Sequence, residues 1–90
     1  MGTPGAVELT VAKARALPDD TYVILTGKLI KKTGDDEYIF RDASGEIRVE
    51  IDEDLFHGLA VSPEDTVRLT GEIDNEGASV DVKRMTVLSR

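Results

Sequence analysis

The chain has 90 residues, a formal net charge of −7 and no cysteine, which limits it to one small domain without disulfides or thiolate metal sites. Acidic residues outnumber basic ones by 18 to 11, and the aromatic residues are two Tyr and two Phe, so a surface that attracts phosphates and stacks bases is not expected. No apolar run approaches the roughly 20 residues that span a bilayer, so membrane insertion is not expected either.

The beginning of the chain, MGTPGAVEL, lacks the charged start and apolar core of a signal peptide. We interpret residues 1–9 as a flexible leader or an expression remnant, and residues 10–90 as a single domain. A short helix is then expected, which Thr10 can cap and which ends before Pro18. Its apolar face consists of Val11, Ala14 and Leu17.

The hydrophobic period then drops to two, which predicts β-strands. Five segments show it: residues 21–33, 37–43, 46–52, 66–74 and 79–89. Gly27 lies inside the first predicted strand and fits a sharp bend, as in a strand shared by both halves of a small barrel. Residues 53–65 break the alternation and are expected to hold a helical turn whose Phe56 closes the barrel bottom, together with Leu55 and Val61.

The last predicted strand changes phase partway along. Val80 and Val82 share one face, whereas Met85 and Val87 share the other. A one-residue bulge near 83–84 would return all four to the interior. A regular strand with one half exposed is the alternative interpretation.

This order of elements predicts an all-β fold, a five-stranded Greek-key OB-fold barrel with a short N-terminal helix and a short helical segment between strands three and four. An SH3-like barrel is the nearest alternative, but it would have a shorter first strand and no helical segment at 53–58. In the OB-fold arrangement Tyr38 and Phe40 are expected to point inward.

Three stretches together resemble the bacterial OB-fold family of stress-induced proteins, the YgiW/YdeI-like group: TVAKARALPDDTYVILTGKLI, DDEYIFRDASGEIRVEID and VSPEDTVRLTGEID. The resemblance runs from about Thr10 to Val87. It implies a periplasmic protein that acts in envelope stress tolerance rather than in catalysis. Family members often carry Trp where this chain has Tyr22 and Phe56, and the turn NEGA is short, which argues against stacking a sugar or base there.

Few residues suggest chemistry. His57 is the one histidine and has no nucleophile or ligand partner at a recognisable spacing, so no enzyme activity and no cofactor are predicted. The oxygen-rich stretches 35–37 and 52–54 lack the regular ligand spacing of a calcium loop. We therefore predict no catalytic residues and no metal site.

The candidate site is the outward face of the first three predicted strands, where charges of both signs alternate around Ile39. The candidate ligand-binding residues are Lys28, Glu37, Ile39, Arg41, Arg48 and Glu50. These charges either neutralise one another across the strands or form a neutral to negative groove for a polar or cationic ligand, such as a peptide, a polyamine or a peptidoglycan fragment.

The sequence therefore predicts a monomeric, non-enzymatic binding module whose partner is a small polar or cationic ligand or an envelope protein, and not nucleic acid. Two alternatives stay open: a nucleic-acid-binding OB domain, and a structural module that acts only through protein contacts.

Overall fold

The computed structural model describes residues 7–89, which are mostly β-strand. The elements are β1 (Val7–Glu8), α1 (Val11–Ala14), β2 (Tyr22–Lys32), β3 (Glu37–Asp42), β4 (Gly45–Glu50), β5 (Thr66–Asp74) and β6 (Ser79–Ser89). Two 3₁₀ turns, Glu53–Phe56 and Asn75–Gly77, follow β4 and β5. The predicted all-β class is confirmed, and β2 to β6 lie within two residues of the five predicted strands.

The described part of the chain contains six strands rather than the five predicted. The additional strand, β1, pairs in parallel with β2, with Val7 opposite Val23 and Glu8 opposite Ile24. It falls within the stretch interpreted as a leader. The rest of that stretch, residues 1–6, lies outside the described residues.

The six strands form one sheet in the order β1-β2-β3-β4-β6-β5, and β5 pairs back onto β2. β2 is shared between two partners, because residues 22–27 pair with β5 whereas its C-terminal part pairs with β3. The change of partner falls at Gly27, where a bend was predicted. A Cβ at Gly27 would collide with the carbonyl of Arg41 and lie 2.9 Å from the ring of Phe40, so only glycine fits.

The hydrophobic core lies on the inner side of the sheet, which curves back so that β5 pairs with β2. Its fully buried side chains come from the inward positions of every long strand, and Phe40 is the largest of them. Thr10 caps α1, which buries Val11 and Ala14 against the core and stops at Ala14, earlier than its apolar spacing suggested. Among the residues that the structure describes, no helix is long and apolar enough to cross a membrane.

The bulge predicted in the last strand is confirmed. Thr70 pairs with Arg84 and Gly71 pairs with Val82, so Lys83 is an extra residue on β6. In a regular strand, Val82 and Met85 would lie on opposite faces, because their positions differ by three. The inserted residue puts both on the inner face, and both are buried.

A bulge in β2 was not predicted. Leu29 lies opposite Phe40 and Lys31 opposite Ile39, so Ile30 is the extra residue. The bulge inverts the side-chain alternation beyond it: Lys31 joins the outward residues of β3, and Lys32 lies opposite Tyr38. This inversion determines the make-up of both surfaces described below.

Candidate binding surfaces

The structure brings all six candidate residues to one surface, the outer face of β2, β3 and β4. Cross-strand neighbours place Lys28 opposite Arg41, Ile39 opposite Arg48, and Glu37 opposite Glu50. The residues between them on β3 and β4, such as Phe40, Ile47 and Val49, are buried, so the candidates share the opposite, outward side. We call this surface the outer face.

Part of the outer face neutralises itself, as one of the two interpretations predicted. Arg48 Nε lies 3.2 Å from Glu37 Oε2, and Arg41 Nη1 lies 3.6 Å from Glu46 Oε2. Both pairs are largely exposed, and such pairs stabilise a fold by only about 0.2–1 kcal/mol. They leave the charged groups available to a competing ligand.

The outer face carries charges of both signs. The β2 bulge adds Lys31 to the outer face, so its residues on β2, β3 and β4 include four basic and three acidic ones. The basic residues are Lys28, Lys31, Arg41 and Arg48, and the acidic residues are Glu37, Glu46 and Glu50. Lys28 and Arg41 are like charges directly opposite each other, an unfavourable arrangement.

Four of the six candidate residues line two separate depressions rather than one groove. A groove of about 600 Å³ runs beside Lys28 and Arg41, where Pro63 and Ile30 form its apolar part. A smaller depression of about 320 Å³ lies around Ile39 and Arg48, beside Ala78. Glu37 and Glu50 line neither of them.

Asp42 at the end of β3 has a structural role beside the groove. Its carboxylate accepts hydrogen bonds from the Val11 N–H at 2.9 Å and from the Ser44 N–H and hydroxyl at 2.7 and 2.6 Å, which fixes α1 to the β3–β4 turn. Burial acts to raise the pKa of Asp42, but the hydrogen bonds outweigh it and hold the pKa below its ordinary value of 3.8.

A second group with shifted pKa values lies where β2, β5 and β6 meet. The Glu72 carboxylate, which Tyr22 hydrogen-bonds, raises the pKa of Tyr22. Asp81 Oδ2 lies 3.0 Å from Lys83 Nζ and raises the pKa of that lysine. These side chains lie around the β6 bulge, and none of the cavities described here is lined by them.

Another cavity lies away from the outer face, between the β2–β3 turn and the 3₁₀ turn after β4. Its volume is about 770 Å³, and we call it the acidic pocket. Four carboxylates surround it: Asp35 and Asp36 from the β2–β3 turn, and Glu53 and Asp54 from the 3₁₀ turn. Two oxygen-rich stretches that the sequence analysis treated separately therefore meet in one place.

The two turns are held together by the backbone. The Ile51 N–H donates to the Asp36 carbonyl at 2.8 Å, and Asp52 caps the 3₁₀ turn by accepting from the Asp54 N–H at 3.0 Å. None of the four pocket carboxylates forms an ion pair or a side-chain hydrogen bond with residues 7–89. In the same described range, no group of three or more His, Cys, Asp or Glu side chains is arranged to hold a metal ion.

Aromatic rings form one wall of the acidic pocket. The Tyr38 and Phe56 ring centroids are 5.6 Å apart with the ring planes tilted by 42°, and Lys32 Nζ lies 5.7 Å from the Tyr38 ring centroid. Both rings of β3 lie on the inward side, as predicted: Phe40 is fully buried, and Tyr38, opposite Val49, packs against the core while part of its ring lines the acidic pocket. Tyr38 is near the end of the sheet, where the core stops.

The comparisons with known proteins agree with one another. The family model described as bacterial OB fold (BOF) protein matches residues 1–87. Protein YgiW of Escherichia coli strain K12 is 45% identical over 73 residues, which are 81% of this chain and 56% of YgiW. The chain thus spans little more than half the length of that curated relative. The calcium-regulated OB-fold protein CarO of Pseudomonas aeruginosa is 39% identical over 94% of this chain and 77% of CarO.

Solved structures show the same fold. The structure of the hypothetical protein ygiW from E. coli matches with a TM-score of 0.87 and 38% identity, over 98% of this chain and 100% of that one. Replication protein A of U. maydis bound to single-stranded DNA matches with a TM-score of 0.73 and 17% identity, over 99% of this chain and 77% of that one, which shows the fold alone. The described sheet is therefore OB-fold-like, and the chain belongs to the bacterial OB-fold (BOF) family.

Proposed function

We propose that this chain is a non-enzymatic, monomeric binding module of the bacterial periplasm, and that it engages a polar or cationic ligand or a protein partner on the outer face during envelope stress. The observation that carries the proposal is the arrangement around Ile39, a half-buried apolar side chain beside exposed ion pairs and a depression. Opposite charges on both sides of an apolar contact match a ligand that carries both an ammonium and a carboxylate group. The envelope location and the role in stress rest on the family resemblance.

His57 lines the acidic pocket. The residue ends the 3₁₀ turn in a left-handed conformation, with φ 52°, and is exposed. Its side chain forms no hydrogen bond or ion pair with the part of the chain that the structure describes. The non-enzymatic part of the proposal rests on the sequence, in which His57 has no nucleophile or ligand partner at a recognisable spacing.

Nucleic acid binding is the rival function, and one observation favours it: four basic residues on the outer face of an OB-fold-like sheet. Against it, the face carries three carboxylates and no aromatic ring, because Phe40 is buried and Tyr38 lies in the acidic pocket. Proteins that bind single strands use exposed rings for stacking. The outer face therefore fits a zwitterionic ligand better than a polynucleotide.

A titration followed by backbone amide NMR shifts tests the proposal, with a soluble muropeptide as the zwitterionic probe. We expect localised shifts on residues 26–50, lost in Arg48→Glu, which places a carboxylate beside Glu37 and Glu50. The free energy of unfolding should change by about 1 kcal/mol or less, because the site is exposed. Arg68→Glu is the matched control: the same charge change at an exposed position of β5, outside both depressions.

Two results would contradict the outer-face assignment. One is the absence of muropeptide shifts on residues 26–50, and the other is an equal loss in Arg48→Glu and Arg68→Glu. In parallel, tight binding of a single-stranded oligonucleotide that weakens steeply with salt would support the nucleic-acid function instead.

A further inference from the structure

The acidic pocket is a second surface that shares none of the outer-face candidate residues. Its volume of about 770 Å³ lies within the range of roughly 300–1,000 Å³ typical of small-molecule sites. It joins an aromatic wall to a carboxylate rim, two features contributed by segments that are distant in sequence.

The aromatic wall already accepts an ammonium group from the chain itself. Lys32 Nζ lies 5.7 Å from the Tyr38 centroid, within the distance of about 6 Å at which a ring face attracts a cation. The bulge at Ile30 places it there. Without that extra residue, the alternation of β2 would turn Lys32 toward the outer face and Lys31 toward the pocket.

The rim has an excess of negative charge that Lys32 does not neutralise. Four carboxylates surround the cavity beside this one lysine, and none of the four is paired with another described residue. The wall between them is apolar, with Phe56 and the exposed Leu59 alongside Tyr38. A ligand that complements both features has positive charges separated by methylene groups.

We propose that the acidic pocket binds the alkylammonium group of a linear polyamine or of a lysine side chain in a basic peptide. The ammonium group lies over the Tyr38 ring, its methylene groups contact Phe56, and the rim carboxylates attract it electrostatically. Lys32 then acts as a tethered competitor that occupies the same ring face when the ligand is absent.

The test uses the full chain titrated with spermidine by calorimetry at low salt. Lys32→Ala removes the competitor and one repelling charge, so we expect spermidine affinity to rise by about three- to tenfold. Lys31→Ala is the matched control, because it deletes the same charge one residue away on the opposite face, and we expect a change of less than about twofold. Equal effects of the two variants, or no spermidine binding in Lys32→Ala, would overturn the proposal.

A second pair of variants tests the ring itself. Tyr38→Leu keeps apolar volume but removes the aromatic face, and we expect spermidine affinity to fall by about fivefold, whereas Tyr38→Phe should bind like the original chain. Thermal unfolding of both variants checks that the fold is intact. Equal affinity in the leucine and phenylalanine variants would overturn the assignment of the ring.

The source of the ammonium group is distinguished by a second probe. Trilysine and its side-chain-acetylated form are titrated beside spermidine, and acetylation should abolish binding of the peptide. Tighter binding of spermidine assigns the pocket to free polyamines, and tighter binding of trilysine assigns it to basic peptides. Binding of the acetylated peptide as tightly as trilysine would contradict ammonium recognition. Because Arg48→Glu lies on the other surface, its effect on muropeptide binding reports on the outer face alone.

Discussion

The outer face and the acidic pocket use charged residues in opposite ways. On the outer face, regular strand pairing sets charges of both signs beside one another, and two exposed ion pairs result. In the acidic pocket, two turns bring four carboxylates together, and none of them forms an ion pair with a residue that the structure describes. The difference shows that strand pairing here places charges of opposite sign side by side, whereas two turns that meet can bring charges of the same sign together.

The contrast between the two surfaces is relevant to function. A group of like charges, as in the acidic pocket, opposes folding, and an arrangement of this kind without an evident compensation is expected at functional sites. The outer face satisfies much of its own charge, so a ligand there has to displace existing pairs. Within residues 7–89, the pocket carboxylates have no ion pairs that a ligand must displace. A cationic ligand therefore competes with fewer internal contacts in the pocket than on the outer face, where Lys28 and Lys31 also repel it.

The largest effect on stability is expected for a substitution that disrupts the outer face and leaves the turn beside the acidic pocket intact. Gly27→Ala puts a methyl group against the Arg41 carbonyl and the Phe40 ring, and both are held by the β2–β3 ladder. We expect the free energy of unfolding to fall by about 3 kcal/mol, measured by urea denaturation. Gly34→Ala in the turn beside the pocket is the control, since its Cβ would meet only the Glu37 side chain at 3.3 Å. A similar loss in both variants would show that β2 does not depend on this close approach.

Much of the regular structure could be predicted from residue patterns. The alternation along β2 to β6 predicted their inward residues, and the phase change between Val82 and Met85 predicted the β6 bulge, because burial has to be restored on one side. The six candidate residues share the outer face for the same reason. Patterns of period two are informative wherever a strand has one buried side.

The acidic pocket could not be predicted in this way. It depends on the Ile51 to Asp36 backbone hydrogen bond, which joins the two turns and has no signature in side-chain type. It also depends on the β2 bulge at Ile30, which is followed by two lysines, so no apolar residue beyond it reveals the change of phase. β1 was missed because two residues are too few to show a period.

The second largest effect on stability is expected for Asp42. Its carboxylate accepts hydrogen bonds, whereas the pocket carboxylates accept none from the described residues. Asp42→Ala leaves the Val11 and Ser44 donors without their acceptor, and we expect a loss of about 2 kcal/mol at neutral pH. Because the pKa of Asp42 is lowered in the folded chain, its carboxylate stabilises the fold above the ordinary pKa of 3.8. That contribution disappears as the pH falls through the lowered pKa.

Urea denaturation at neutral pH and at a pH well below 3.8 therefore separates the two states of the Asp42 carboxyl group. The difference in stability between the original chain and Asp42→Ala should shrink at the acidic pH. Glu50→Ala, at an exposed carboxylate of β4 with no ion pair among the described residues, serves as the control. A difference for Asp42→Ala that stays constant with pH would mean that its hydrogen bonds do not depend on the ionised form.

The smallest expected changes in the free energy of unfolding test the contrast between the two surfaces most directly, because a substitution in the pocket and one on the outer face should have opposite signs. Asp35→Asn removes one of the unpaired pocket carboxylates and should raise the free energy of unfolding by a few tenths of a kcal/mol, about the scale of a surface charge interaction. Glu46→Gln removes the partner of Arg41 and should lower it by a similar amount. High salt should reduce both changes, since it screens exposed charges. If both substitutions shift stability in the same direction, the pocket carboxylates do not repel one another more than the outer-face charges do, and the contrast between the two surfaces is wrong.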